Sequence, residues 1–334
     1  MKRQVSIAFQ TDKSALEYIA LAQLVDQYDF DVVSVYCDAP YHPSYMPLLL
    51  MAPHIKKARI GPAAVSPSRI HPIDIASQTA LLAGVAQSGV YVGLARGAWL
   101  NSHGINELTP PVRAIREAAE IVQRLLKGES GYDGEVFQIA AHVRAPYPLP
   151  TETIPLLIGT WGRQLSAIAG QIADEVKIGG SANPDIVPVI AEYIETGEVA
   201  AGREPGTVGV VVGAVSVIDE DRDRARQVAR RSVALYLPVV ASLDPTVEVE
   251  PDLMSQIEQY VNRGEYDEAA SLISDELLER FAFAGDPNDI IRQCDALFQA
   301  GARRIDFGTP HGLPSDNGIQ LIGEKVLPAL KQWR

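Results

Sequence analysis

The sequence predicts an α/β fold, a (β/α)8 (TIM) barrel with insertions after strand 4 and after strand 7, and three observations predict it. Short apolar, β-branched runs alternate eight times with longer segments of helical period. Every connection between successive runs is long enough for the crossover that parallel pairing needs. No Gly-x-Gly-x-x-Gly follows the first run and no ribose-binding acid is placed for one, which leaves the open doubly wound sheet as the weaker architecture. Strands of such a barrel end on one rim, so the polar residues that follow them share a mouth.

Val5-Ser6-Ile7-Ala8-Phe9 is the first strand, and Leu16, Ile19, Ala20, Leu24 and Val25 mark a helix within residues 13–28. Val32 to Cys37 is the second strand; the loop Asp38 to Pro43 leads to a helix containing Leu48 to Met51. Ala58 to Val65 is the third strand, followed by a helix from Ile73 to Gln87. The fourth, Val90 to Arg96, reads as buried on both faces and delivers the polar loop Gly97 to Gly104. Val112 to Leu126 is an amphipathic helix, after which residues 127–150 interrupt the rhythm as a first insertion, with a small extra strand at Gly134 to Ile139. Ile154 to Gly159 is the fifth strand, and its helix runs from Arg163 to Gly170. Glu175 to Gly180 is the sixth, with Asn183-Pro184-Asp185 expected to cap the next helix. Val208 to Ile218 is the seventh strand, Asp221 to Tyr236 its helix, and residues 239–283 an acidic, helical second insertion. A helix from Ile290 to Gln299, an eighth strand at Arg304 to Gly308 and a helix from Ile319 to Trp333 complete one domain spanning 1–334.

The composition excludes several classes. With 47% hydrophobic and 21% charged residues in 334, the chain can bury a large core. A formal charge of −13 opposes nonspecific nucleic-acid binding, since the one basic cluster, Arg222 to Arg231, alternates with Asp. No apolar run approaches the roughly 18 residues of a membrane span, and the start is too short for a secretory signal, so a cytoplasmic protein is expected. Cys37 and Cys294 lack paired spacing and read as buried free thiols. The histidines have no zinc-ligand spacing, and no metal is expected.

Candidate site residues follow from the shared mouth. Gly159-Thr160-Trp161-Gly162 sits where a buried strand gives way to a helix, so its amides and the helix dipole suit a phosphate; the competing reading is a turn that only caps the helix. Arg96 is a fixed cation beside Gly97, where backbone can approach a ligand closely, or else it pairs with Asp38 or Asp306. Gly179 and Gly180, with Ser181 and Asn183, follow the sixth strand. His42, with Asp38, and His103 are the candidate catalytic groups, with His311 a further loop imidazole. His54 and His71 read as structural, and Tyr36, Tyr41, Tyr45 and Trp99 either line the mouth or pack beneath its loops.

The segments Gly61-Pro62-Ala63-Ala64-Val65-Ser66-Pro67, Gly93-Leu94-Ala95-Arg96-Gly97-Ala98-Trp99, Ile158-Gly159-Thr160-Trp161-Gly162 and Ile172-Ala173-Asp174-Glu175-Val176-Lys177, in that order, resemble the bacterial luciferase-like superfamily. They are most similar to its methylenetetrahydromethanopterin reductase branch, whose members use a 5-deazaflavin. The resemblance implies a flavin-like ring across the carboxyl end of the barrel and a non-prolyl cis peptide behind it near Ala63 and Ala64. Ser66 and Ser68, which follow the third strand, either hydrogen-bond the pyrimidine edge of such a ring or are ordinary turn serines, and the resemblance implies a homodimer formed through the helices after the second and third strands. The implied activity is an oxidoreductase moving a hydride between coenzyme F420 and a small organic substrate held beneath the second insertion. The same pocket with FMN would be a monooxygenase, and a barrel that binds a cofactor without catalysis is the alternative of another class. Ala39 after Asp38, Ala8 in the first strand and Ala98 in the fourth-strand loop depart from the branch, which has a histidine or acids at the corresponding places.

Overall fold

A computed structural model describes residues 3–331. The strands are β1 (Gln4–Phe9), β2 (Val32–Val35), β3 (Arg59–Pro62), β4 (Val92–Ala95), β5 (Tyr132–Asp133), β6 (Gln138–Ile139), β7 (Leu156–Gly159), β8 (Glu175–Gly179), β9 (Gly209–Ile218), β10 (Ala282–Gly285) and β11 (Arg304–His311). Eight of them run parallel in the spatial order β3-β2-β1-β11-β9-β8-β7-β4. Two parallel bridges, Ile60 to Val90 and Val65 to Leu94, bring β3 against β4 and close the barrel. Its strands are buried along almost their whole length, which is why they read as continuous apolar runs. The helices lie outside, and several starts are encoded locally: Ser14 and Glu17 form a capping box, and the His71 imidazole accepts from the Ile73 amide.

The barrel interior is polar in its middle. A Cβ on Gly61 would stand 2.6 Å from the Tyr91 ring, so this glycine makes room for Tyr91, which packs with Val32 and Leu157. Arg304 donates to both oxygens of Glu175, at 3.2 and 2.7 Å, and to Ser6 Oγ at 3.1 Å; Arg59 reaches the same carboxylate at 3.0 Å. Two residues further along the strands Lys177 pairs with Asp306, which also accepts from Ser6 Oγ at 2.5 Å. Burial opposes ionisation of Glu175 and Asp306, yet Arg304 and Arg59 on the first and Lys177 and Arg304 on the second hold both carboxyls below the ordinary range.

Four expectations change. The first insertion is a hairpin of β5 and β6 instead of one strand, because buried Glu117 accepts the amides of Glu135, Val136 and Phe137 at 2.9–3.0 Å and turns the chain there. The second insertion ends in β10, which pairs in parallel with the outer half of β9, from Val215 to Ile218. At ten residues β9 outruns β8, whose register ends at Gly213, and its free edge takes the added strand. Asn183 does not cap the helix Ile186–Ala200. The last helix is Ser315–Leu321, a π turn at Ile322–Val326 and Leu327–Lys331; the positions expected to continue it, 332 and 333, lie outside the described residues. Cys37 and Cys294 are free and buried, and among the described residues no helix is long and apolar enough to cross a membrane.

Candidate functional site

Four neighbouring strands end in residues with almost no side chain. Ala64, Ala95 and Gly159 follow or finish β3, β4 and β7, and Gly179 finishes β8; none is fully buried. A Cβ on Gly159 would lie 3.1 Å from that of Ala95 and 4.0 Å from that of Ala64, so the three form one surface of methyl groups and bare backbone. A Cβ on Gly179 would meet nothing within 4 Å. The result is a shelf, open above, with room for something flat. The Ala63–Ala64 peptide at its edge is cis, where the resemblance implied one. It falls between the bond of Ala63 N–H to Val35 O at 2.8 Å, toward β2, and that of Val65 N–H to Gly93 O at 2.9 Å, toward β4.

The far side of the shelf meets a helix start. Thr160 Oγ1 accepts from the Gly162 amide at 3.0 Å, and Trp161 Nε1 donates to Gly179 O at 3.1 Å, bracing the ends of β7 and β8 together. Gly162 begins the helix Arg163–Ile172 with no side-chain cap, and Ser166 is the residue whose amide first bonds back, to Gly162 O at 2.9 Å. The amides of Arg163, Gln164 and Leu165 therefore have no acceptor within the helix, and the dipole adds to their preference for an anion.

The other predicted groups are spread around the rim. Ser66 is buried; its hydroxyl donates to Arg96 O at 2.5 Å, while the Ser68 hydroxyl accepts from the Leu108 amide at 3.1 Å. Both serines thus staple the β3 loop to the β4 loop. Gly97 has φ of +97°, and a Cβ there would press on Ser66. Arg96 pairs with neither Asp38 nor Asp306: it forms a two-pronged pair with Glu107, at 2.5 and 2.8 Å, because Glu107 lies on its own loop while Asp306 is held by Lys177 inside the barrel. Asp38 accepts instead from Gln10 Nε2 at 3.1 Å. His42 is exposed on the loop after β2, four residues past Asp38 in sequence, with its amide on Thr11 O, whereas His103 is exposed after β4 with Nδ1 2.8 Å from Trp99 O, two strands away around the barrel. His311 is fully buried, with Nε2 3.1 Å from Ala8 O and its ring edge-on to Phe9; burial pushes its pKa down to about 4, so it is neutral and built into the wall.

The β8 loop is joined to the second insertion. Asn183, fully buried, donates to Asp244 at 2.9 Å and Thr246 at 2.8 Å, and its carbonyl accepts from the Asp185 amide at 3.1 Å and from Arg280 at 3.2 Å. Those contacts explain why it is not a cap. Sequence reasoning also missed Glu175, Lys177, Arg304 and Asp306. Their signal was charge at alternate positions of strands otherwise buried, the mark of inward-facing partners.

The luciferase-like monooxygenase family model matches residues 4–304. A 5,10-methylenetetrahydromethanopterin reductase from Archaeoglobus fulgidus is 28% identical over 335 residues, covering 97% of this chain and 99% of that protein. Among solved structures, a coenzyme F420 dependent tetrahydromethanopterin reductase from Methanopyrus kandleri superposes with a TM-score of 0.89 at 23% identity, over 98% of this chain and 99% of the other. An F420-dependent secondary alcohol dehydrogenase in complex with an F420-acetone adduct superposes with a TM-score of 0.80 at 19% identity, over 99% of each chain.

Proposed function

The chain belongs to the luciferase-like monooxygenase family, and we propose that it is an oxidoreductase in which coenzyme F420 lies across the barrel mouth and exchanges a hydride with a small organic substrate. The observation that carries this reading is the shelf of Ala64, Ala95 and Gly159 leading to an uncapped helix start: a flat surface for a ring, with donors for a phosphate at one end. The names of relatives that match the chain over nearly its full length and print coenzyme F420 favour a deazaflavin over a flavin.

In this reading Ala63 and Ala64 back the ring, and Gly97, Gly179 and Gly180 let it approach the backbone. Ser66 fixes the loop that bears Arg96. Thr160, Trp161, Gly162 and the amides that follow hold the phosphate. Arg96 meets the anionic part of the ligand after parting from Glu107, and His42 with Asp38, or His103, serves the substrate. The bound deazaflavin supplies a carbon that gives or takes a hydride; the chain's own work is to orient the substrate against it and exclude water. The second insertion covers the substrate, both insertions belong to one domain, and the protein is a cytoplasmic homodimer.

Titration of the purified protein with F420 and with FMN tests the reading. F420 is expected to bind more tightly, and Gly159→Asp to abolish binding while the protein stays folded, because a carboxylate then occupies the shelf. Tighter binding of FMN would return the monooxygenase alternative, binding of neither would end both, and a bound ring that no substrate bleaches would leave a barrel without catalysis.

A further inference from the structure

Tyr36 extends β2 by one residue, its amide bonded to Phe9 O at 2.9 Å. Two residues earlier Ser34 faces the barrel interior, where it meets the Tyr91 hydroxyl at 2.9 Å, so Tyr36 points inward on the same face, nearer the mouth. Lys177 Nζ lies 5.3 Å from the centre of its ring, and the same ammonium is held by Asp306. Gly308 makes the space: a Cβ there would collide with Tyr36 Oη.

The buried tyrosines Tyr45 and Tyr91 use their hydroxyls on Thr79 and Ser34, and half-buried Tyr236 uses its own on Phe281 O. Half-buried Tyr36 differs. No described residue hydrogen-bonds its hydroxyl, and that oxygen is not among the atoms sealed from solvent without a partner. A phenol tip with access to the mouth and no protein partner is a donor held for something else. Burial, then the carboxylates of Asp306 and Asp38, push this phenol above its ordinary range, so it carries its proton at neutral pH.

Building on the F420 reading of the same mouth, we propose that Tyr36 is a catalytic acid and that the substrate class is a carbonyl compound and its alcohol. As the hydride of the reduced deazaflavin joins the carbonyl carbon, the π pair of the carbonyl moves onto its oxygen, which takes the phenol proton. The phenolate left behind faces the Lys177 ammonium and regains a proton from water at the mouth, while the oxidised cofactor releases one to solvent. The reverse sequence oxidises the alcohol. Imines and activated alkenes also take up a proton on reduction, at nitrogen or carbon; a carbonyl is proposed over them because hydride addition leaves its charge on oxygen, the atom a phenol donor serves directly.

The test compares wild type with Tyr36→Phe, a change that removes only an unbonded hydroxyl. Both proteins are expected to share a melting temperature and to bind F420 within twofold of each other. With reduced F420 and a panel of simple aldehydes and ketones, kcat of the variant should fall by about 10²–10⁴-fold. The wild-type rate should slow in D2O and the variant rate respond less. A variant within threefold of wild type overturns the role of Tyr36, and wild type that binds F420 but reduces no carbonyl in the panel overturns the substrate class. Failure of wild type to bind F420 is a separate result, which removes the cofactor reading and this proposal with it.

Discussion

The loops after β8 and after β4 flank the same shelf and are built in opposite ways. After β8, Ser181, Ala182 and Asn183 are buried; the amides of Gly180 and Ser181 bond Gly213 O, that of Ala182 bonds Arg280 O, and Asn183 joins two segments of the second insertion. After β4, residues 96–99 are all exposed, Leu100 is buried, and the tie from Arg96 runs to partly exposed Glu107. Trp99 there holds φ of +55°, a conformation that bulky residues seldom adopt. One wall is part of the barrel and its insertion, and the other is held at its ends by Ser66 on Arg96 O and Ser68 on the Leu108 amide with an exposed stretch between, so ordering by a ligand is expected on that stretch of the β4 side.

The comparison is broken most severely by pH. His311 belongs to the rigid wall, and its folded pKa of about 4 lies below the unfolded value near 6.5. Between those values the unfolded chain holds more protons, so stability is complete above pH 6.5 and is lost as pH falls toward 4, by about 3 kcal/mol. Urea unfolding across that window should show the slope, and His311→Gln should flatten it; an unchanged slope would place the linkage elsewhere. Asn183→Ala comes next, with a loss of about 2 kcal/mol, because it strips a donor from buried Asp244 and one acceptor from Arg280, which keeps Asp185. Chemical denaturation measures it, and a change below half of that would mean the joint is not stabilising. Gly180→Ala follows at about 1 kcal/mol, since φ is +83° and the new Cβ would sit 2.9 Å from Val240. A fall in melting temperature is expected there together with weaker F420 binding, since the proposed site has the ring approaching this backbone; unchanged affinity would remove Gly180 from that site.

The barrel was legible because buried parallel strands write themselves as apolar runs, and Gly159 and Gly179 were legible because they stand where those runs stop; Ala64 came only from the family resemblance, and Ala95 was not singled out. What escaped was anything decided between distant segments. β10 is a four-residue apolar run abutting a helix, and only the overhang of β9 makes it a strand. Asn183 looks like a cap until Asp244, 61 residues later, claims it. Arg96 drew a partner from its own loop because the barrel had already matched Asp306 with Lys177. Tyr36 was legible only as one of four aromatics that line the mouth or pack beneath its loops: the space for its hydroxyl depends on Gly308, on the opposite arm of the chain.

The smallest stability effect belongs to the β4 loop, and it is the one that bears most directly on ligand binding. Half-exposed ion pairs contribute roughly 0–1 kcal/mol, so Glu107→Gln should leave the denaturation midpoint almost unmoved. Its effect on affinity should be of the opposite kind: with the carboxylate gone, the Arg96 guanidinium is released to an anionic ligand, and F420 affinity at low salt should rise several-fold, the gain shrinking as salt is added. Arg96→Ala should lower that affinity by a similar factor, again with little loss of stability. If both variants bind F420 as wild type does, the Arg96–Glu107 pair is a fixed strut, and the β4 loop is no freer than the wall it faces.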